Sequence, residues 1–264
     1  MIQILLCPTH MEEPCSKVRL NFGQKISTIL KAHKISLITE LICALLQLKE
    51  NGQKNLKQIK LNKRFIYLIS PNKIKDDDFY IKLDLVLSSK KVNFFQLRLK
   101  KETTKNKISI GKKIKKICKK HKVNFIINDE PMLAKKLNSD GCHLGQKDMN
   151  IKNARKILGK KKIIGITCHN SKFLIKNAIK EKINYLAIGA FFKTQTKKVK
   201  YKASLSTLKW CKSMYNIPIV AIGGINNINY KRLLLNQADF LAISGYVWEN
   251  KKLKPEQTIK KLKK

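Results

Sequence analysis

The chain has 264 residues, a formal charge of +40, 43% hydrophobic residues and seven cysteines. That length fits one large α/β barrel or two small domains, and the odd, scattered cysteines at 7, 15, 43, 118, 142, 168 and 211, without a C-x-x-C pair, speak against a disulfide framework or zinc site and for a reducing cytoplasm. Only five of the 57 basic residues are arginine and no basic run is interleaved with aromatics, so no specific nucleic-acid partner is expected; the positive surface favours anionic small-molecule substrates.

In chain order, residues 1–62 stand apart. Met1 to Cys7 is apolar but too short for a signal sequence, and the most apolar stretch, 35–48, is interrupted by Glu40 and too short to span a bilayer, so no membrane partner is expected. A helical pattern from Ile26 to Lys49 precedes a basic linker, Glu50 to Lys63, and neither carries a chemical motif. Residues 1–62 read as an extension of unassigned role, and 63–264 as the functional domain.

From Arg64 short apolar runs recur: Phe65–Ile69, Phe94–Leu97, Phe125–Ile127, Cys142–Leu144, Ile163–Ile166, Tyr185–Ile188, Ile217–Ile222 and Phe240–Ile243. Amphipathic stretches separate most of them; Ile110, Ile114, Ile117 and His121, for example, share one helical face. Near-continuous apolar strands alternating with helices predict a parallel sheet covered on its outside, and eight such units in so short a span predict a (β/α)₈ TIM barrel. In that fold the chemistry sits at the carboxyl ends of the strands.

Those ends are polar. After the second run come Gln96, Arg98 and Lys100, spaced to share one face of an extended strand, and after the third come Asn128 and Asp129, followed by Pro131 at a helix start. Asp148 follows the fourth run. Asp129 and Asp148 would emerge at one end of the sheet, where a carboxylate pair can hold Mg²⁺ together with substrate phosphates; the plainer role for Asp129 is a helix cap. Thr167 and His169 follow the fifth run, and His143, inside a strand, reads as a satisfied core histidine. Thr194, Gln195, Thr196 and Lys197 follow the sixth as a hydroxyl and ammonium cluster, Gly223-Gly224 ends the seventh, and Ser244-Gly245 ends the eighth; all suit a phosphate.

Across residues 64–249 the chain resembles the thiamine-phosphate synthase family. The motifs are Gln96-Leu97-Arg98-Leu99-Lys100, Ile127-Asn128-Asp129, His143-Leu-Gly-Gln-Lys-Asp148, Gly165-Ile-Thr167-Cys-His-Asn170, Gly189 to Lys197, and Ala221-Ile-Gly-Gly224-Ile. The resemblance implies a transferase of thiamine biosynthesis that joins a hydroxymethylpyrimidine diphosphate to a hydroxyethylthiazole phosphate and releases pyrophosphate dissociatively. It also implies Mg²⁺ on Asp129 and Asp148, the pyrimidine diphosphate on the Gln96–Lys100 segment, Asn128, Thr167 and Lys197, and catalytic charge stabilisation by Arg98, Lys100 and Lys197. The thiazole phosphate would be held by Thr194, Thr196, Gly224 and Ser244-Gly245, with Gln195 also among the substrate-binding residues. Thr167 stands where the family usually has Ser, and Lys193 where it commonly has Pro. Two alternatives remain: a thiazole tautomerase of the same fold, against which the retained Asp129, Asp148, Arg98 and Lys197 speak because tautomerisation has no leaving pyrophosphate, and a non-catalytic polyanion-binding barrel, which would not need the acidic pair.

Overall fold

The computed structural model describes residues 64–194 and 201–263. The expectations placed on residues 1–62 and on Gln195, Thr196 and Lys197 lie outside these.

Eight strands close into one parallel barrel in sequence order: β1 (Ile66–Ile69), β2 (Val92–Leu97), β3 (Asn124–Asn128), β4 (Gly141–Leu144), β5 (Ile163–His169), β6 (Tyr185–Gly189), β7 (Ile219–Ile222) and β8 (Phe240–Ile243). Every apolar run of the sequence becomes a strand, and β1 pairs with both β2 and β8, so no edge is left open. The crossover helices are α1 (Asp78–Ser88), α2 (Thr104–Lys120), α3 (Pro131–Lys136), α4 (Ile151–Leu158), α5 (Lys172–Lys180), α6 (Leu205–Met214) and α7 (Tyr230–Leu235); α8 (Gly245–Trp248) and α9 (Pro255–Lys261) follow β8.

Local sequence explains the boundaries. Thr103, Asn150, Ser171 and Ser204 each cap a helix by accepting the backbone N–H three residues on, which satisfies a donor that has no partner within the helix. In α2, Ile114 is fully buried while most of the lysines face out, and His121 closes the helix, with its Nε2 2.8 Å from Asp84 Oδ1.

Strand alternation divides the core in two. Tyr67, Phe94, Ile126, Tyr185, Val220 and Phe240 fill the barrel interior, whereas Leu68, Phe95, Leu97, Ile127 and Leu186 face the helices. The interior departs from the usual branched aliphatics by admitting two tyrosines. Gly165 on β5 makes room for one of them: a Cβ there would stand 2.0 Å from Tyr185 Cζ. Among the described residues no helix is long and apolar enough to cross a membrane.

Candidate active site at the carboxyl end of the barrel

Asp129 leaves β3 with φ 64°, a left-handed conformation that Asp tolerates better than most residues, and its N–H still donates to the His143 carbonyl at 2.8 Å, continuing the ladder to β4. The turn aims its carboxylate across the mouth. The N-cap of α3 is Glu130 rather than Asp129, and it makes no side-chain cap bond, so the capping role is set aside. Asp148 is fixed by a turn in which its Oδ2 accepts the Gly145 N–H at 2.6 Å while its own N–H donates to the Gly145 carbonyl at 3.3 Å.

The two carboxylates are in hydrogen-bond contact with each other, and Lys100 Nζ lies 2.8 Å from Asp129 Oδ2. Burial alone would raise the Asp129 carboxyl, but the Lys100 ammonium and the Asp148 hydrogen bond together hold it below its ordinary value. Burial, with the adjacent Asp129, pushes Asp148 up. The two carboxyls therefore titrate as a pair, with the proton affinity of Asp148 above that of Asp129. Two hard oxygen groups held against each other, on separate loops and half-exposed, form a donor set suited to a small divalent ion whose other ligands come from phosphate and water. Among the described residues no third His, Cys, Asp or Glu joins them.

β2 ends at Leu97, so Arg98 and Lys100 stand in the following loop rather than on the strand. They keep its alternation. Leu97 and Leu99, each 3% exposed, point into the outer core, so any contact of theirs with a ligand would run through the backbone. Arg98 is half-buried, donates to Asn72 Oδ1 at 3.0 Å, and feels the Asp129 charge. Its backbone N–H is held by Ser70 Oγ at 2.9 Å, and the Ser70 N–H donates to the Gln96 carbonyl at 2.9 Å. Ser70 and Asn72, which brace Arg98 from the end of β1, were missed by the sequence reading; a Ser-Pro-Asn turn after the first apolar run is the only signal for them. A cavity of about 240 Å³ lined by Lys100, Lys107, Asn128, Asp129 and Glu130 opens beside the mouth, with Lys107 paired to Glu130 at 2.5 Å.

Deeper in the barrel, Gln96 is 2% exposed and its Nε2 donates to the Tyr67 hydroxyl at 3.2 Å. His143 is the satisfied core histidine expected, with Nδ1 2.9 Å from the Tyr185 hydroxyl and Nε2 2.8 Å from Thr167 Oγ1. Burial pushes its pKa down to about 4, so the ring is neutral at physiological pH. A polar tip at an inward strand position is all that marks Tyr67 and Tyr185 in the sequence.

On the opposite rim, Gly223 and Gly224 have φ 107° and 61°, and a Cβ on Gly224 would stand 2.2 Å from the Lys193 carbonyl. This close approach ties the end of β7 to the segment that leads into Thr194. The Phe191 and Phe192 N–H groups donate to the carbonyls of Ile222 and Gly223 at 3.0 and 3.1 Å, and Thr194 is half-buried. Ser244 Oγ donates to the Ser70 carbonyl at 3.1 Å, which turns that hydroxyl away from the role of free phosphate donor and leaves the backbone of the Ser244-Gly245 turn as the alternative.

A family model described as thiamine monophosphate synthase matches residues 66–247. A thiamine-phosphate synthase of Pelagibacter ubique is 68% identical over 208 residues, covering 79% of this chain and 100% of that protein, and one of Erythrobacter litoralis is 40% identical over 187 residues, covering 69% and 87%. The solved structure of thiamine phosphate pyrophosphorylase from Pyrococcus furiosus superposes with a TM-score of 0.66 at 26% identity, over 76% of this chain and 94% of that one. The barrel and its polar rim therefore agree with the family match, and the chain belongs to the thiamine monophosphate synthase family and is a transferase with thiamine-phosphate synthase activity.

Proposed function

We propose that the chain condenses 4-amino-2-methyl-5-(diphosphooxymethyl)pyrimidine with 4-methyl-5-(2-phosphoethyl)thiazole, giving thiamine phosphate and pyrophosphate. The observation that carries this reading is the cluster of Asp129, Asp148, Lys100 and Arg98 at one lip of the barrel, facing the Gly223-Gly224 rim. One side suits a diphosphate and the other a phosphate.

Asp129 and Asp148 would hold Mg²⁺, which when bound supplies positive charge to the diphosphate oxygens. The pyrimidine methylene C–O bond breaks first, and its electron pair leaves with pyrophosphate. Arg98 and Lys100, with Lys197, stabilise that growing negative charge, and because they are positioned before the bond breaks they cost little reorganisation. The aminopyrimidine delocalises the cation left behind. The thiazole nitrogen then donates its lone pair to the methylene, held in reach by its phosphate on Thr194, Thr196 and the Gly224 turn. Asn128 and Thr167 orient the pyrimidine. The buried free thiols Cys118, Cys142, Cys168 and Cys211 agree with action in the reducing cytoplasm.

The test is an assay of the full chain with both substrates, scoring pyrophosphate and thiamine phosphate in equal amounts, with Mg²⁺ and with chelator. Equal, Mg²⁺-dependent release of both products is expected. Turnover of a thiazole carboxylate phosphate without pyrophosphate would instead point to the tautomerase.

A further inference from the structure

Five polar side chains meet inside the barrel, below the carboxylate pair. Gln96 Nε2 reaches the Tyr67 hydroxyl at 3.2 Å, the Tyr67 and Tyr185 hydroxyls are 2.7 Å apart, and His143 connects Tyr185 to Thr167 Oγ1 at 2.9 and 2.8 Å. Four of the five are buried, among apolar neighbours that include Phe94, Ile126, Val220 and Phe240. Branched apolar side chains would fill that space without any polar group to satisfy, so a fully connected polar chain here needs a reason.

Counting protons gives the chain a direction. An amide nitrogen only donates, a hydroxyl carries one proton, and a neutral imidazole carries one. With Gln96 donating to Tyr67, the Tyr67 proton goes to Tyr185 and the Tyr185 proton to His143 Nδ1. The ring proton is then on Nε2 and is donated to Thr167 Oγ1. A doubly protonated ring would donate both ways and leave the Tyr67 proton without an acceptor. Thr167 is half-buried near the end of β5, and because its oxygen accepts Nε2–H its own proton is left for a partner other than His143.

We propose that Gln96, Tyr67, Tyr185 and His143 form a positioning relay that leaves the Thr167 proton for the substrate, so that the hydroxyl donates to a substrate acceptor, a ring nitrogen or a diphosphate oxygen. This rests on the reading that Thr167 touches the pyrimidine diphosphate. Tyr67, Tyr185 and His143 act on the substrate only through that hydroxyl. The relay also links β2 to β5 across the barrel, so a ligand that draws on Gln96 alters the donor at Thr167.

Two measurements test this. The first needs no substrate: ¹⁵N NMR of the histidine ring in the full chain at neutral pH, with the His143 signal assigned by its loss in His143→Gln. The Nε2–H tautomer is expected; the Nδ1–H tautomer reverses the chain and overturns the proposal. The second is a double-mutant cycle on kcat/KM with Tyr185→Phe, which keeps the ring that fills the space above Gly165, and Thr167→Val. Tyr185→Phe alone should raise the KM for the pyrimidine diphosphate about tenfold, in line with a lost hydrogen bond, and leave the KM for the thiazole phosphate unchanged. In the Thr167→Val background it should add nothing. Independent, multiplying losses, or equal losses for both substrates, would show that Tyr185 merely supports the fold and would overturn the relay. A wild-type chain without turnover would count against the substrate assignment, and the tautomer would still decide the direction of the chain.

Discussion

Asp129→Asn isolates the electrostatic role of the carboxylate pair from its structural role. Asn adopts the left-handed conformation seen at φ 64° about as well as Asp, and the backbone bond to the His143 carbonyl needs no carboxylate, so the turn should survive. The ion pair to Lys100 is lost, but the Lys100 side chain is 53% exposed, so that pair contributes at most about 1 kcal/mol. Loss of the contact between two carboxylates offsets part of this, and the melting temperature without metal should hardly move. Catalysis should respond differently. Removing one of two negative charges from a metal pair at the leaving group removes a preorganised group whose effect is greatest in the transition state, a loss of roughly 3–4 kcal/mol or at least about a hundredfold in kcat. Steady-state pyrophosphate release across a Mg²⁺ titration reads both quantities: kcat should fall by that factor and the Mg²⁺ requirement should rise. A variant with near wild-type kcat and an unchanged Mg²⁺ response would refute the assignment of Asp129 to the metal.

Three further outcomes follow from the same geometry. Thr194→Val with Thr196→Val should raise the KM for the thiazole phosphate about tenfold or more, since a hydrogen bond to a charged group contributes roughly 1.5–3 kcal/mol, while the pyrimidine diphosphate KM stays put; equal losses would place the loop elsewhere. A chain starting at Lys63 should fold and turn over nearly as well as the full one, in keeping with the Pelagibacter ubique protein matching at full length over only 208 residues; an insoluble or inactive truncation would contradict this. His143 is buried neutral with its pKa lowered from 6.5 to about 4, so its contribution to stability is complete above about pH 6.5 and is lost as the pH falls toward about 4. Thermal unfolding of His143→Gln should therefore depend less on pH across that window than wild type, and parallel curves would argue against the buried neutral ring.

The barrel was legible because strands buried on both faces read as apolar runs, and none of the eight was missed. The places of Asp129 and Asp148 at the mouth were legible because each lies within a few residues of the end of such a run. The bracing of Arg98 was not: Ser70 and Asn72 lie in the loop after β1, 28 and 26 residues before Arg98, and only the pairing of β1 with β2 brings them together. Tyr67 and Tyr185 were hidden for a related reason. Within an apolar run a tyrosine looks like any aromatic, and whether its hydroxyl meets a partner depends on neighbours across the barrel, here 118 residues apart. Ser244 shows the converse, a hydroxyl in the expected turn that the fold directs to the Ser70 carbonyl.

The carboxylate pair and its neighbouring cations would form one site for Mg²⁺ and pyrophosphate. Calorimetric titration of the full chain with pyrophosphate, in the presence and absence of Mg²⁺, tests it most directly. The account predicts that Mg²⁺ tightens pyrophosphate binding by at least tenfold and that Asp148→Asn abolishes this gain. Binding of equal strength with and without Mg²⁺, in the wild-type chain, would contradict it.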